Sequence, residues 1–124
     1  MTGEEAVRRT LALYCQLCDD GRFDEWALLY TDDATFTVMG QTYSGPAEIQ
    51  AFIEKGQPPE KRGKHLIGQS VIDVQEGAGT AAAVTDYTFI ARTSEGYAIT
   101  SAGRYHDSFR RAEGLNGGFY QLTG

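Results

Sequence analysis

A chain of 124 residues holds one domain with a real core and is short for two. Its 41% apolar and 23% charged residues are those of an ordinary globule. The net charge of −6 leaves no basic stripe for nucleic acid, since Lys61, Arg62 and Lys64 form only a short local cluster. With no apolar run long enough to span a membrane and no opening signal peptide, a cytoplasmic protein without a membrane partner is expected.

Thr2-Gly3-Glu4-Glu5 reads as a capping box that starts a helix. Apolar residues then recur at helical spacing (Val7, Leu11, Tyr14, Cys18, broadened by Leu13 and Leu17), and Asp19-Asp20-Gly21 ends the run. A short second helix is predicted over Phe23 to Tyr30. A strand from Ala34 to Met39 follows, with Asp32 and Asp33 capping its start, and Gly40-Gln41 turns it into Thr42-Tyr43. Ser44-Gly45-Pro46 is helix-start chemistry for a third helix, Ala47 to Lys55, stopped by Gly56. Residues 56–64 read as an exposed loop and a candidate mobile lid.

The rest is predicted to be β, with strands at His65 to Gln75, Ala81 to Arg92, Tyr97 to Arg110 and Phe119 to Leu122. Turns at Glu76 to Gly79, Ser94 to Gly96 and Glu113 to Gly118 make them an antiparallel meander. Helices first and strands after argue an α+β fold in one domain, 1–124. A long antiparallel sheet twists and curls, so the first helix can lie across its concave face. The expected architecture is therefore a cone-shaped barrel of strongly curved mixed or antiparallel sheet around N-terminal helices, with a central pocket of the kind that takes a small molecule.

Three polar residues fall where that pocket would be: Tyr14, Asp19 and His65. A phenol, a carboxylate and an imidazole together can move protons on a small organic molecule without a metal or nucleotide. Tyr14 and Asp19 lie about 140° apart on an ideal helix, so they share a pocket only if the chain bends before Asp19. Strand alternation places Arg104 and His106 on one face, as possible further pocket groups. Trp26, Phe36, Met39, Tyr43, Phe52, Tyr87, Phe89 and Tyr105 read as core or pocket wall. The Cys15-x-x-Cys18 spacing is better read as packing thiols than as a redox or metal motif, because it falls within the helix and not at its start. No cofactor or metal is expected.

The run Tyr14 to Trp26, with Asp19, Asp24 and Glu25, and the run Leu29 to Phe36, with Asp32, Asp33 and Ala34, resemble the opening of SnoaL-like proteins of the nuclear-transport-factor-2-like, cystatin-like α+β superfamily. Tyr43-Ser-Gly45-Pro-Ala-Glu-Ile49, Lys64-His65-Leu66-Ile67-Gly68 and Gly103-Arg104-Tyr105-His106-Asp107 are similar to that family's later segments, so nearly the whole chain is covered. Two dehydratases of the superfamily, scytalone dehydratase and bile-acid 7α-dehydratase, are the nearest in chemistry. The resemblance puts Tyr14 at their helical tyrosine, Asp19 at the aspartate after it, and His65 at their strand histidine. Asp20 competes with Asp19, since a one-residue shift exchanges them.

By that resemblance, a cofactor-independent dehydratase or isomerase is expected, acting on a small hydrophobic cyclic ketone, steroid or polyketide-like substrate. Tyr14 would hold the carbonyl oxygen, and His65, oriented by Asp19, would carry the proton. A SnoaL-type cyclase or a ketosteroid-isomerase-like activity with Asp19 or Asp20 as base is the alternative enzyme. A non-catalytic ligand-binding or scaffold protein is the alternative class. Curved sheets of this kind commonly pack on a second copy, so a homodimer is expected.

Overall fold

The computed structural model describes residues 2–112 and 119–124. Helix α1, Gly3–Asp19, starts with the expected capping box: Thr2 Oγ1 accepts from the Glu5 amide (3.1 Å), and the Glu5 carboxylate accepts from the Thr2 amide (3.3 Å). It buries Ala6, Val7, Leu11, Leu17 and Cys18 along one stripe. The helix runs through Asp19, with Asp20 as its C-cap, and Gly21 supplies the left-handed turn (φ 72°) that releases the chain.

Helix α2, Phe23–Ala27, stops three residues before the predicted end. Long-range β pairing overrides the local spacing there. The Leu122 amide donates to Leu29 O (2.7 Å), and the Thr31 amide donates to Leu122 O (2.9 Å). Strands β1 (Thr35–Val38) and β2 (Gln41–Ser44) form a separate antiparallel hairpin. Its turn residues Met39 and Gly40 both have positive φ, and Met39 is 97% exposed, so it belongs to neither core nor pocket wall. Helix α3, Gly45–Gly56, begins two residues earlier than predicted, with Pro46 in its first turn.

The stretch predicted as a loop contains one 3₁₀ turn, Pro59–Lys61. Arg62 ties it down: its guanidinium lies over the Phe23 ring (5.4 Å), and its Nε donates to Gln57 O (3.1 Å). Asp33 does more than cap, accepting from Thr31 Oγ1 (2.8 Å) and pairing with Arg110 (3.2 Å).

The remaining strands are β3 (Gly63–Gln75), β4 (Thr80–Thr93), β5 (Gly96–Arg111) and β6 (Tyr120–Leu122). They form the expected antiparallel meander in the order β3-β4-β5-β6. The turn predicted over Glu113 to Gly118 lies outside the described residues. Register shifts between Ile67 and Ser70 and between Phe89 and Ile90 put bulges into the longest strands, and bulges bend and twist a sheet. Helix α1 packs against β3 and β6, closing over Trp26, Ile49, Phe109, Tyr120 and Leu122.

Residues 120–124 act as a clasp. Thr10 Oγ1 lies 2.6 Å from Tyr120 O, the Thr35 amide donates to Thr123 O (3.1 Å), and the Ser108 amide donates to Gly124 O (3.0 Å). With the Leu29 bond to Leu122 described above, four parts of the chain are thus held by these five residues. Among the described residues no helix is long and apolar enough to cross a membrane.

Candidate active site

The first residue of consequence on β3 is His65, and α1 delivers Asp19 directly to it. The carboxylate takes His65 at two points: Oδ2 accepts the backbone amide (2.8 Å), and Oδ1 lies 2.5 Å from the ring Nδ1. Both side chains are largely out of water, at 3% exposure for Asp19 and 13% for His65. A carboxylate accepts only, so Nδ1 carries the hydrogen towards it and Nε2 of the neutral ring is left with its lone pair available. The Phe89 ring beside the imidazole (4.5 Å between centroids) fixes the ring plane. Asp19, and not its neighbour, is therefore the histidine's partner. Asp20 is exposed and lies on the wall of the same cleft.

That cleft, of about 490 Å³, runs between α1 and the start of β3 and is lined by Ala12, Cys15, Gln16, Asp19, His65 and Ile67 among others. Tyr14 opens onto a second cleft of about 510 Å³, between β1 and β5. The separation follows from helix geometry: because α1 stays helical through Asp19, Tyr14 and Asp19 keep their angular offset. Cys15 belongs to the first of the two. It lines the His65 cleft, and burial first, then the charges of Asp19, Cys18 and Asp107, pushes its thiol up to about 12. Cys18 is likewise pushed up to about 12, mainly by burial, and both are free, buried thiols. Among the described residues no three His, Cys, Asp or Glu side chains are grouped to hold a metal.

The Tyr14 cleft contains a group that the sequence reading passed over. Asp107 projects from β5 beside Tyr105, and burial alone pushes its carboxyl up to about 7. Burial also raises the Tyr14 hydroxyl well above its ordinary range, with Tyr30, Tyr105 and Asp107 adding to the effect. Tyr14 meets Tyr105 edge-on (5.6 Å, 72°), and Tyr105 stacks flat on Tyr87 (4.3 Å, 5°). Trp26 is fully buried behind Tyr14 (5.6 Å), and its Nε1 has no hydrogen-bond partner among the described residues.

Arg104 and His106 do share a face, and it is the exposed one. Arg104 Nε donates to Asp86 (2.7 Å) with both side chains more than half exposed, and His106 is exposed too. Both border the rim of the Tyr14 cleft. The alternating residues Tyr105 and Asp107 take the inner positions. The signal for this phase was in the sequence: Tyr105, Asp107 and Phe109 alternate, and two of the three are aromatic. Tyr43 stands apart, stacked on Phe52 of α3 (4.3 Å) with its hydroxyl on Gln41, and lines neither cleft.

Helices at the N-terminus followed by a long antiparallel meander, with polar groups between them, give this chain the α+β architecture of a nuclear-transport-factor-2-like protein with a cystatin-like fold. Such a protein from Novosphingobium aromaticivorans superposes with a TM-score of 0.81 at 22% identity, covering 97% of this chain and 77% of its own. Within that class, this chain belongs to the SnoaL-like domain family, whose profile matches residues 1–118. Rv3472 of Mycobacterium tuberculosis, described as of unknown function, superposes with a TM-score of 0.84 at 20% identity over 95% of this chain, which spans 66% of its length. A putative scytalone dehydratase from N. aromaticivorans gives a TM-score of 0.78 at 21% identity, covering 97% of this chain and 78% of its own. At these identities the likeness is one of fold. No curated protein sequence matches the chain.

Proposed function

We propose that this protein is a cofactor-independent acid–base enzyme of the dehydratase or isomerase type, acting on a small hydrophobic cyclic ketone, steroid or polyketide-like molecule. The observation that carries the reading is the doubly bonded Asp19–His65 pair, which leaves Nε2 as a base at the wall of a cleft. His65 Nε2 takes the proton α to the carbonyl, and in a dehydration the imidazolium returns it to the leaving hydroxyl. Asp19 holds the ring in the tautomer that can do this and stabilises the imidazolium that forms. Tyr14 lines the other cleft, so its hydroxyl can serve a carbonyl oxygen only in the second version below, in which the chemistry is in that cleft. General acid–base help of this kind is worth about 10²–10⁴-fold.

Asp107 favours a second version, in which a carboxyl that titrates close to neutrality carries the proton, as a ketosteroid-isomerase-like or cyclase activity requires. Here Asp107 replaces Asp19 and Asp20 as the candidate base, because Asp19 is committed to His65 and Asp20 is exposed.

A thermal-shift screen of steroids, hydroxynaphthalenones and aromatic polyketides, followed by turnover of the hits, tests both. Turnover by wild type that disappears in His65→Ala supports the histidine mechanism. Turnover that survives in His65→Ala and disappears in Asp107→Asn supports the carboxyl mechanism. Binding without turnover in wild type identifies a ligand carrier and refutes the enzyme.

The sheet's outer face suits a second copy of the chain. Leu66, Val71, Tyr97 and Ile99 are each at least half exposed there, and the register puts them on the side opposite His65 and Tyr105. A homodimer on this face is the proposed assembly, and sedimentation at micromolar concentration showing only monomer rejects it.

A further inference from the structure

We infer that the main-chain amide of Ile67 is the donor that holds the substrate's carbonyl oxygen in the His65 cleft. The backbone of β3, and no side chain, then stabilises the charge that forms there. This rests on the histidine version of the proposed function.

That version needs a donor. When His65 takes the α-proton, the imidazolium and the Asp19 carboxylate balance each other, and the negative charge collects on the carbonyl oxygen. Tyr14 faces the other cleft. In the His65 cleft itself, Gln16 and Lys64 carry donors but are exposed to water, and the buried Cys15 thiol is a weak donor.

The backbone supplies a better one. β3 is the outer strand of its sheet, with β4 on one side only. The His65 amide donates to Asp19 Oδ2 (2.8 Å), so it points away from β4 and towards α1. In an antiparallel pair the N–H and C=O of one residue turn to the same side, and those of the next residue turn to the other. His65 and Phe89 are therefore a pair that exchanges no hydrogen bonds, and Ile67 and Tyr87, two residues on in the same register, are another. The register shift begins only after Ile67 and leaves this phase intact.

Two amides of β3 thus leave the sheet on the side of α1. Asp19 takes the first. Among the described residues no loop carbonyl and no side chain accepts from the second, and Ile67 lines the same cleft as His65. A main-chain N–H in that position is left for a ligand or water to satisfy.

The spacing suits one ketone. Outward amides two residues apart lie about 6.6–6.8 Å from each other, twice the rise of a strand residue. A hydrogen bond of about 2.9 Å to the oxygen and an approach of about 3–3.5 Å to the α-carbon, joined by the two bonds between those atoms, cover that span. The α-C–H bond breaks and its proton goes to His65 Nε2. The electron pair left behind forms the C=C bond, and the carbonyl π pair moves onto the oxygen, where the Ile67 N–H meets it. The strand holds that donor in place before the reaction starts, so no reorganisation is needed as charge develops.

The test follows exchange of the α-hydrogens of 2-tetralone, a bicyclic ketone, in buffered D₂O by proton NMR. Wild type is expected to accelerate exchange and His65→Ala to lose the acceleration. Replacing the isoleucine at position 67 by its α-hydroxy acid turns the amide into an ester and deletes one N–H. This should lower kcat by about 10²–10³-fold with KM little changed, the usual cost of one oxyanion donor. Ile67→Pro deletes the same N–H while Leu66 keeps an amide carbonyl, and should show the same loss. It should fold, because an edge strand tolerates proline where the N–H faces outward.

Ester and proline variants that exchange at the wild-type rate overturn the inference alone. A loss in Gln16→Ala or Lys64→Ala as large as the ester's does so too. Failure of both position-67 variants to fold would show that the amide serves the sheet, and also overturns it. Wild type that does not accelerate exchange, or His65→Ala that exchanges as fast as wild type, overturns the histidine reading beneath it.

Discussion

Truncating Asp19 to alanine removes both of its bonds to His65, while truncating His65 removes only the ring bond and leaves the backbone amide still paired. Hydrogen bonds to a buried charged group are worth about 1.5–3 kcal/mol each. Asp19→Ala should therefore cost about 3–5 kcal/mol, the usual range for removing one partner of a buried pair. His65→Ala should cost about half of that, and the double variant little more than Asp19→Ala alone, because the same main-chain donor is orphaned in both. The coupling energy from the four proteins is then about 1.5–3 kcal/mol. Urea denaturation at constant pH measures it. Single-variant losses that simply add in the double would refute the bidentate grip. Asp19→Asn sharpens the test for function. Its amide oxygen can keep the His65 N–H, but its NH₂ then faces Nδ1 and forces the hydrogen onto Nε2. Turnover should fall by about 10⁴-fold with most of the stability retained, as in other histidine dyads deprived of the right tautomer.

Three further outcomes follow from the same geometry. Asp107 keeps its proton up to about pH 7 when folded against an ordinary 3.8, so between those values the unfolded chain releases a proton that the native state retains. Stability should fall as pH rises from about 4 to about 7, by at most about 4 kcal/mol at 1.36 kcal/mol per unit, and Asp107→Asn should flatten that slope and be the more stable protein at pH 7.5. Denaturation midpoints of both proteins that run parallel across this range would count against it. Gly63→Ala places a Cβ against Ile90 O, a clash with backbone just ahead of His65, and should cost more than about 2 kcal/mol by thermal melting. Gly56→Ala, which meets nothing within 4 Å, is the control expected to stay within about 1 kcal/mol of wild type. Finally, Cys15 and Cys18, buried with thiols pushed up to about 12, should resist iodoacetamide at pH 7.5 in the native state and react after urea. Rapid native labelling of Cys18, which lines neither cleft, would show that α1 opens.

Much of this fold could be read from local chemistry, because the relevant forces act over a few residues. The Thr2–Glu5 box, the α1 stripe and the order of the four long strands are of that kind. The end of α2 was not legible, since what stops the helix is a bond to Leu122 more than ninety residues away. In the site, Asp19 and His65 were legible through resemblance, whereas Tyr14 was expected beside them on condition of a bend before Asp19, and α1 stays helical through Asp19. Asp107 was hidden by a question of phase. Alternation says that residues 104 and 106 go one way and 105 and 107 the other, and the hint to which way is in was the aromatic pair Tyr105 and Phe109 on either side of Asp107. The charged and polar pair drew attention to Arg104 and His106, while the sheet turned its aromatic positions inward.

The clasp formed by residues 120–124 has a consequence for how the chain is made. Its partners Thr10, Leu29, Thr35 and Ser108 are all translated earlier, and Thr10 precedes Tyr120 by 110 positions. Until residue 120 is made, the part of the first helix that faces β6 therefore has no native cover, although β3 can already pack on its other part. Closure of so long a loop is the slow entropic step of such topologies. Emergence of residues 120–124 becomes the event that allows this domain to close. A stalled or truncated product lacking these few residues would be a natural client for chaperones.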